Sequence, residues 1–579
     1  MRGGEHPKWF GTASLLLSAH GGAGAKVAAR RVRLPWVVVT DRRKRLALLA
    51  AILGSFVAGL DATVVNVALP AIERDLGGGL AGQQWVSNAY LLTLGSLILV
   101  GGSLGDIFGE RRVFTLGVAG FGVVSVLCAV APTVEVLVAG RALQGVFGAL
   151  LTPRALAVIV ASFPPDERGA AIGSWTAWSG IAFVIGPLAG GWLIDVASWR
   201  WIFAVNVPFV VATVLIVRIA VSERVRVGER APVDVLGAAL CALGLAGPVY
   251  ALIRQPSEGW GSPEVLVAML LGIVLLAAFL VREARTPYPM LPLGLFRRRN
   301  FAFGNIETLA MYGGLSAVLF FLVLFLQQVA GYDALQAWLA TLPTTVVMFL
   351  LSRYAGRLAD RYGPRWFMGF GPLVAAAGLM MLQRVDAQLD YLTDLFPALL
   401  LFSLGLAATV APLTATVLAD ADENNAGIAS GVNNAIARVA SLLAVAALGA
   451  VVAAQFGSAL GDELDGRRLS PAAQHVVSEA QTRTITRVDP GSLPPDEGRF
   501  VARATEDASV SAFHTGAGIA ALLVAFGGVL GLVGIRNPRR DVPCADCPGG
   551  QFAGAPVDAS RNRLPELARP KPEAEPHPA

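Results

Sequence analysis

The chain has little of what a water-soluble protein needs at its surface: of 579 residues only 15% are charged, against 55% hydrophobic, and the mean hydropathy is +0.60. So much apolar surface cannot be hidden at an ordinary surface-to-volume ratio, which excludes a soluble enzyme and makes the bilayer the solvent. Cysteine is scarce, with four residues in all. Cys128 and Cys241 lie inside apolar runs as small hydrophobes, and Cys544 and Cys547 form a lone CxxC without a second pair at zinc-site spacing. Neither a disulfide framework nor a metal site is therefore expected. The five histidines, His6, His20, His475, His514 and His577, are scattered and form no Ser-His-Asp or metal constellation. No GxxxxGK[ST] sequence occurs, so no ATP site or other cofactor is expected. Basic residues exceed acidic ones only by 46 to 41, and they sit in short clusters between apolar runs, which argues for membrane topology and against nucleic acid as a partner.

What is present is apolar runs. A span needs about 20 such residues, and fourteen are expected, at 46–70, 83–105, 113–131, 134–160, 168–193, 200–221, 233–253, 263–282, 301–328, 334–352, 364–383, 394–418, 426–454 and 512–535. An even number puts both ends on one side. The arginines of 42–45, Arg111 and Arg112, Arg224, Arg226 and Arg230, Arg297 to Arg299, Arg361 and Arg365, and Arg536, Arg539 and Arg540 fall on that same side, which the positive-inside rule makes cytoplasmic. The expected class is an all-α integral protein of the cytoplasmic (inner) membrane with both termini inside.

A repeat organises the chain. GSLGDIFGERR begins at Gly102 and GRLADRYGPRW at Gly356; Gly102, Asp106, Gly109 and Arg111 each recur 254 positions on as Gly356, Asp360, Gly363 and Arg365. That offset exceeds what six spans require, so a two-helix hairpin is expected between two six-helix bundles. The resulting divisions are a basic cytoplasmic arm at 1–45, a first bundle at 46–221, hairpin and linkers at 222–300, a second bundle at 301–535, and a disordered cytoplasmic tail at 536–579. The polar stretch 455–511, within the second bundle, shows little periodicity and is expected to be a partly ordered extracytoplasmic excursion.

Several residues are too polar for their spans. Asp61 stands about 22 Å into the first span, where an ionised carboxylate must be paired, protonated or wetted, so it is a natural proton carrier; a structural hydrogen bond beside Thr63 or Asn66 is the alternative. Glu307, about 9 Å into its span, either titrates or reaches headgroup water. With Asp61 it suggests a cavity between the halves holding two acids that face a cationic ligand. Arg141 cannot lose its proton and needs an acceptor; Gly140, Gly145 and Gly148 allow close helix approach beside it. Arg438 has a cavity-facing or pairing role. Gly186, Pro187, Gly190 and Gly191 make a tightly packed kink, and Trp175 and Trp178 share a helical face that either lines a site for flat ligands or packs. In the repeated loop, Asp106 with Arg111 and Arg112, between Gly102 and Gly109, suggests a latch.

Together LDATVVNVALP (60–70), GSLGDIFGERR, RALQG at Arg141, GPLAGG (186–191), WRWIFAVNVP (199–208), GRLADRYGPR, FLQQVAGYDALQAWLATLP (325–343) and AGIASGVNNAIARVA (426–440) resemble the major facilitator superfamily, in its fourteen-span drug:proton antiporter branch. That family usually carries basic residues where Ile107 and Glu110 stand, which leaves a latch here to Arg111 and Arg112. The resemblance implies two rocking bundles around a midplane cavity. It implies Asp61 and Arg141 in proton coupling, to which the residue reading adds Glu307; Gly186, Pro187, Gly190 and Gly191 as antiporter hinge; and the two loops (Gly102, Asp106, Gly109, Arg111, Arg112; Gly356, Asp360, Gly363, Arg365) as gate. Trp175, Trp178, Asn433, Asn434 and Arg438 are expected at the substrate cavity. The expected activity is export of amphiphilic drugs or antibiotics against inward proton flow, by a monomer. A same-fold carrier of an amino acid, sugar or siderophore, and a non-transporting membrane sensor, are the competing readings.

Overall fold

Gly109 and Gly363 turn the chain identically: φ and ψ are 97° and 138° at the first, 93° and 143° at the second, and each glycine ends one long helix and begins the next. The sequence repeat is thus a repeat of backbone. The left-handed φ bars a Cβ without strain, so Gly109→Ala and Gly363→Ala should each cost about 1–3 kcal/mol. Gly356→Ala, whose Cβ would meet only Ala411 Cβ at 3.7 Å, should be near neutral. Thermal unfolding of the detergent-purified protein checks this, and an equal loss at Gly356 would refute the backbone explanation.

The computed structural model describes residues 42–221, 234–287, 289–419, 426–489, 491 and 493–537. Most of the expected N-terminal arm, the linker before the hairpin and the tail with Cys544 and Cys547 lie outside the described residues. The first bundle is α1 (Arg42–Leu76), α2 (Gly79–Phe108), α3 (Glu110–Ala129), α4 (Val134–Ser162), α5 (Pro165–Val196), and the short α6 (Trp201–Ala204) running into α7 (Asn206–Ala220). The hairpin is α8 (Val235–Glu258) and α9 (Pro263–Arg285). The second bundle is α10 (Arg299–Gln328), α11 (Ala334–Tyr362), α12 (Pro364–Met381), α13 (Phe396–Ala419), α14 (Ala426–Leu464) and α16 (Pro495–Gly534), with α15 (Pro471–Arg483) outside it. Twelve helices among the described residues are long and apolar enough to cross a membrane. Helices α2 and α5, of 30 and 32 residues, are long enough to cross as well, and would bring the number to the expected fourteen.

Prolines Pro263, Pro364, Pro471 and Pro495 open their helices, where the missing N–H has no partner to lose. Helix α8 is capped by Asp234, which accepts the Gly237 N–H at 2.7 Å and is gripped by Arg282 of α9; that guanidinium holds the Asp234 carboxyl below its ordinary range. Val249 and Ile253 of α8 pack with Leu442 and Ala446 of α14 and with Trp85, Leu91 and Leu92 of α2, so the inserted hairpin covers the seam between the bundles. Helix α9 leaves Val267, Leu270, Leu271 and Val274 exposed, a face suited to lipid.

The stretch 455–511 differs from its expected form. Helix α14 continues to Leu464 and α16 starts at Pro495, with α15 between them. The missed signal is short: Ser470 caps α15, and Ala473, Val477 and Ala480 form a buried stripe at helical spacing inside a polar sequence. This small unit reaches the first bundle, where Arg483 Nε lies 3.1 Å from Glu73 Oε1. At the same end, away from Arg42 and Asn537, Gln327 donates to Val67 O (3.0 Å), Gln84 to Val445 O (2.7 Å), and the Ala334 and Leu335 amides to Asp195. These contacts close the bundles against each other at that far end.

Candidate functional site

Five elements of the first bundle converge on Asp61, about 28 Å along α1 from Arg42. Its carboxylate is fully buried. Arg141 Nη1 on α4, itself 1% exposed, meets Asp61 Oδ2 at 2.5 Å. The same guanidinium donates to Gln144 Oε1 at 2.7 Å and through Nε to Val86 O at 3.0 Å, and it lies 4.4 Å from the Tyr90 ring centroid and 5.9 Å from that of Phe203. Gln144 Nε2 donates to Asp61 Oδ1 (3.2 Å) and Ser125 Oγ (2.9 Å). Asn206 Nδ2 stands 3.5 Å from Asp61 Oδ1, and its Oδ1 has no partner among the described residues.

The cluster is a buried ion pair with its remaining valences largely filled, the condition under which such a pair survives in a low dielectric. The sequence motifs contained Gln144 (RALQG) and Asn206 (WRWIFAVNVP), but their role with Ser125 and Tyr90 follows only from the packing of α2, α3, α4 and α7 around α1. The glycines make that packing possible. A Cβ at Gly145 would strike Thr93 Oγ1 and the Tyr90 carbonyl.

Glu307 is elsewhere. It is fully buried, neither carboxylate oxygen has a partner among the described residues, and it faces the glycines of α16: a Cβ at Gly531 would lie 3.0 Å from Oε2. This corrects the expectation of a shared cavity with two acids facing a cation, since Asp61 turns into its own bundle and is matched by Arg141, while Glu307 packs within the second bundle.

The gate residues stand at the end of the bundles that carries Arg42. The side chain of Asp106 lies outside the described residues. The residue that ties this loop down was missed: Arg154 on α4 donates to Gly102 O and meets Glu110 Oε2 at 2.7 Å. Glu110, the departure from the family pattern, is thus the loop's ionic contact, and Arg111 instead reaches Arg218 O on α7 at 3.1 Å. In the second copy, Arg365 donates to Leu532 O (2.6 Å) and its amide to Asn537 Oδ1 (3.0 Å).

A Cβ at Gly186 would meet Thr63 Oγ1 at 2.9 Å, one at Gly190 would strike Val64, and one at Gly191 would lie 2.9 Å from Leu335 Cα. This run of α5 therefore packs closely on α1 and, at its far end, on α11; the Pro187 side chain lies outside the described residues. Trp175 donates to Ser55 Oγ at 2.8 Å within the first bundle, and Trp178 is exposed. Asn433 turns into α10, donating to Asn305 Oδ1 (3.0 Å) and Thr308 Oγ1 (2.8 Å), whereas the exposed Asn434 accepts from Arg438 Nε at 3.1 Å.

The sequence profile of the Major Facilitator Superfamily matches residues 51–445. The puromycin resistance protein pur8 of Streptomyces alboniger is 37% identical over 441 residues, which are 75% of this chain and 86% of that protein. The tetracenomycin C resistance and export protein of Streptomyces glaucescens is 33% identical over 480 residues, 82% of this chain and 87% of that one. Among solved structures, an inward-facing bacterial homolog of the human lysosomal transporter Spinster superposes with a TM-score of 0.59 at 16% identity, over 86% of this chain and all of that one. That likeness shows the fold.

Proposed function

The chain belongs to the Major Facilitator Superfamily and is a multi-pass membrane transporter, and from that premise we propose that it exports amphiphilic drugs or antibiotics in exchange for protons, by alternating access and without a cofactor. The resistance and export proteins to which it is similar support the substrate class. The observation that carries the proton coupling is the fully buried Asp61–Arg141 pair.

When Asp61 is ionised, Arg141 Nη1 and Gln144 Nε2 satisfy it. When it takes a proton, Arg141 still keeps Val86 O, Gln144 Oε1 and the Tyr90 and Phe203 faces, so neither protonation state strands the guanidinium. Asn206 completes the switch: rotating its amide brings the unpartnered Oδ1 towards Asp61, where it can accept the new O–H. Glu307, without a bonding partner among the described residues, is left out of this step.

The far-end contacts support a state accessible from the end that carries Arg42 and Asn537, and the arginine clusters favour that end as cytoplasmic. In this reading Arg154 with Glu110 anchors the cytoplasmic loop, Gly186 and Gly190 fix α5 to α1 within the first bundle, and Gly191 on α11 is the point of this run at which the two bundles meet. The loop anchor and the Gly191 contact must both yield during transport.

Everted vesicles with an acidified interior should accumulate compounds from a panel of cationic, neutral and anionic amphiphiles. Asp61→Asn should reduce that accumulation to the level of vesicles without the protein, at equal expression. Uptake that survives collapse of the gradient sinks the coupling.

A further inference from the structure

Arg438 is the cation that the proton site does not use. It lies about 18 Å along α14 from Ala426, deep enough that a guanidinium facing lipid would be expensive. Its surroundings turn it inward. On one flank of the helix Asn433 and Ser441 bond to α10, through Asn305, Thr308 and Ser316; on the other, Leu442 and Ala446 pack on α8. Asn434 and Arg438 occupy the stripe between, on the side of α2, where a Cβ at Gly95 would lie 3.4 Å from Arg438 Cβ. Both are solvent-accessible there, Asn434 exposed and Arg438 partly so. A stripe bounded by helices on both flanks and still open to solvent faces the space between the bundles.

The charge in that space is unbalanced. Arg438 Nε is fixed by Asn434 Oδ1 at 3.1 Å, which leaves the two terminal nitrogens of the fork, and among the described residues Arg438 forms no ion pair. The two acids singled out within the spans are occupied elsewhere: Asp61 is matched by Arg141 and Glu307 is packed against α16.

Resting on the export reading, we propose that Arg438, held in place by Asn434, receives an anionic oxygen of the exported compound, a carboxylate, sulfonate or phenolate on a flat apolar body, and that the transporter selects acidic amphiphiles over lipophilic cations. A guanidinium fork matches such an oxygen pair in two parallel hydrogen bonds. An anion leaving a cell whose interior is negative also moves down the membrane potential.

The test compares two dyes on one xanthene skeleton, fluorescein (anionic) and rhodamine 123 (cationic), in everted vesicles with acid interior and the potential clamped; uptake is measured by extraction. Gradient-driven uptake should favour fluorescein. Arg438→Ala should raise the KM for fluorescein about tenfold or more, the scale of a lost charge-assisted hydrogen bond, without raising that for rhodamine 123. Arg438→Lys, which keeps the charge but not the fork, should fall between. Preference for rhodamine 123, or equal loss of both dyes in Arg438→Ala with Arg438→Lys no better, overturns the anion site and leaves the exporter standing. Gradient-driven uptake of neither dye, by protein shown to be folded, defeats the export reading and this inference with it.

Discussion

Arg141→Leu should be the most damaging single change in the molecule, lowering stability by about 3–5 kcal/mol and ending gradient-driven transport. The reason is what it leaves behind. Asp61 would remain at 0% exposure with Gln144 and Asn206 as its only donors among the described residues, and Gln144 Oε1 would lose the guanidinium as well. Asp61→Asn should be far milder for stability, because an amide can bond with the same neighbours and Arg141 retains Val86 O, Gln144 Oε1 and two aromatic faces. The double variant Asp61→Asn/Arg141→Leu should be more stable than Arg141→Leu alone, since it removes the stranded charge, but should not transport. Thermal unfolding of the four detergent-purified proteins, paired with uptake into everted vesicles, checks the cycle. Additive losses in the double variant would mean that the two side chains do not depend on each other.

The architecture was legible because its signals are long. Apolar runs of 20 residues and a loop repeated at a fixed offset survive local irregularity, and so the all-α membrane class and the paired turns at Gly109 and Gly363 could be read before any coordinates. Asp61 and Arg141 were legible one at a time, as charges that hydrocarbon would not hold. Their partners were not. Gln144, Ser125 and Asn206 are ordinary polar residues spread over 82 positions of chain, and only helix packing brings them to one carboxylate. The direction in which a side chain points was the other gap: Glu307 was expected at headgroup water or in a cavity shared with Asp61, yet it is buried and faces α16, and Asn433 looked like Asn434, although neighbours on a helix point 100° apart. Glu110 misled for a different reason. A reversed charge reads as a lost contact until Arg154, 44 residues on, supplies its complement.

Gly145→Val should come near Arg141→Leu in its effect on transport while leaving the ion pair itself intact. Gly145 lets α4 approach α2 so closely that a Cβ would strike both Thr93 Oγ1 and the Tyr90 carbonyl, and Thr93 in turn donates to Ala142 O across the same contact at 2.7 Å. A branched side chain there must push α2 away, at about 1–3 kcal/mol for the overpacking, with the bond from Thr93 lost besides. Helix α2 carries Val86 O and the Tyr90 ring, the very groups that hold the guanidinium when Asp61 is protonated. Displacing them removes one of the two states of the switch, so proton-driven uptake should fall much further than stability. Gly148→Ala is the control, one turn along α4, where the new Cβ would meet Leu94 and Tyr90 side chains at 3.4 and 3.5 Å, ordinary packing distances. It should transport nearly as the parent does. If Gly148→Ala failed as badly as Gly145→Val, close approach of α2 would not be what Gly145 provides, and the two-partner account of Arg141 would lose its structural basis.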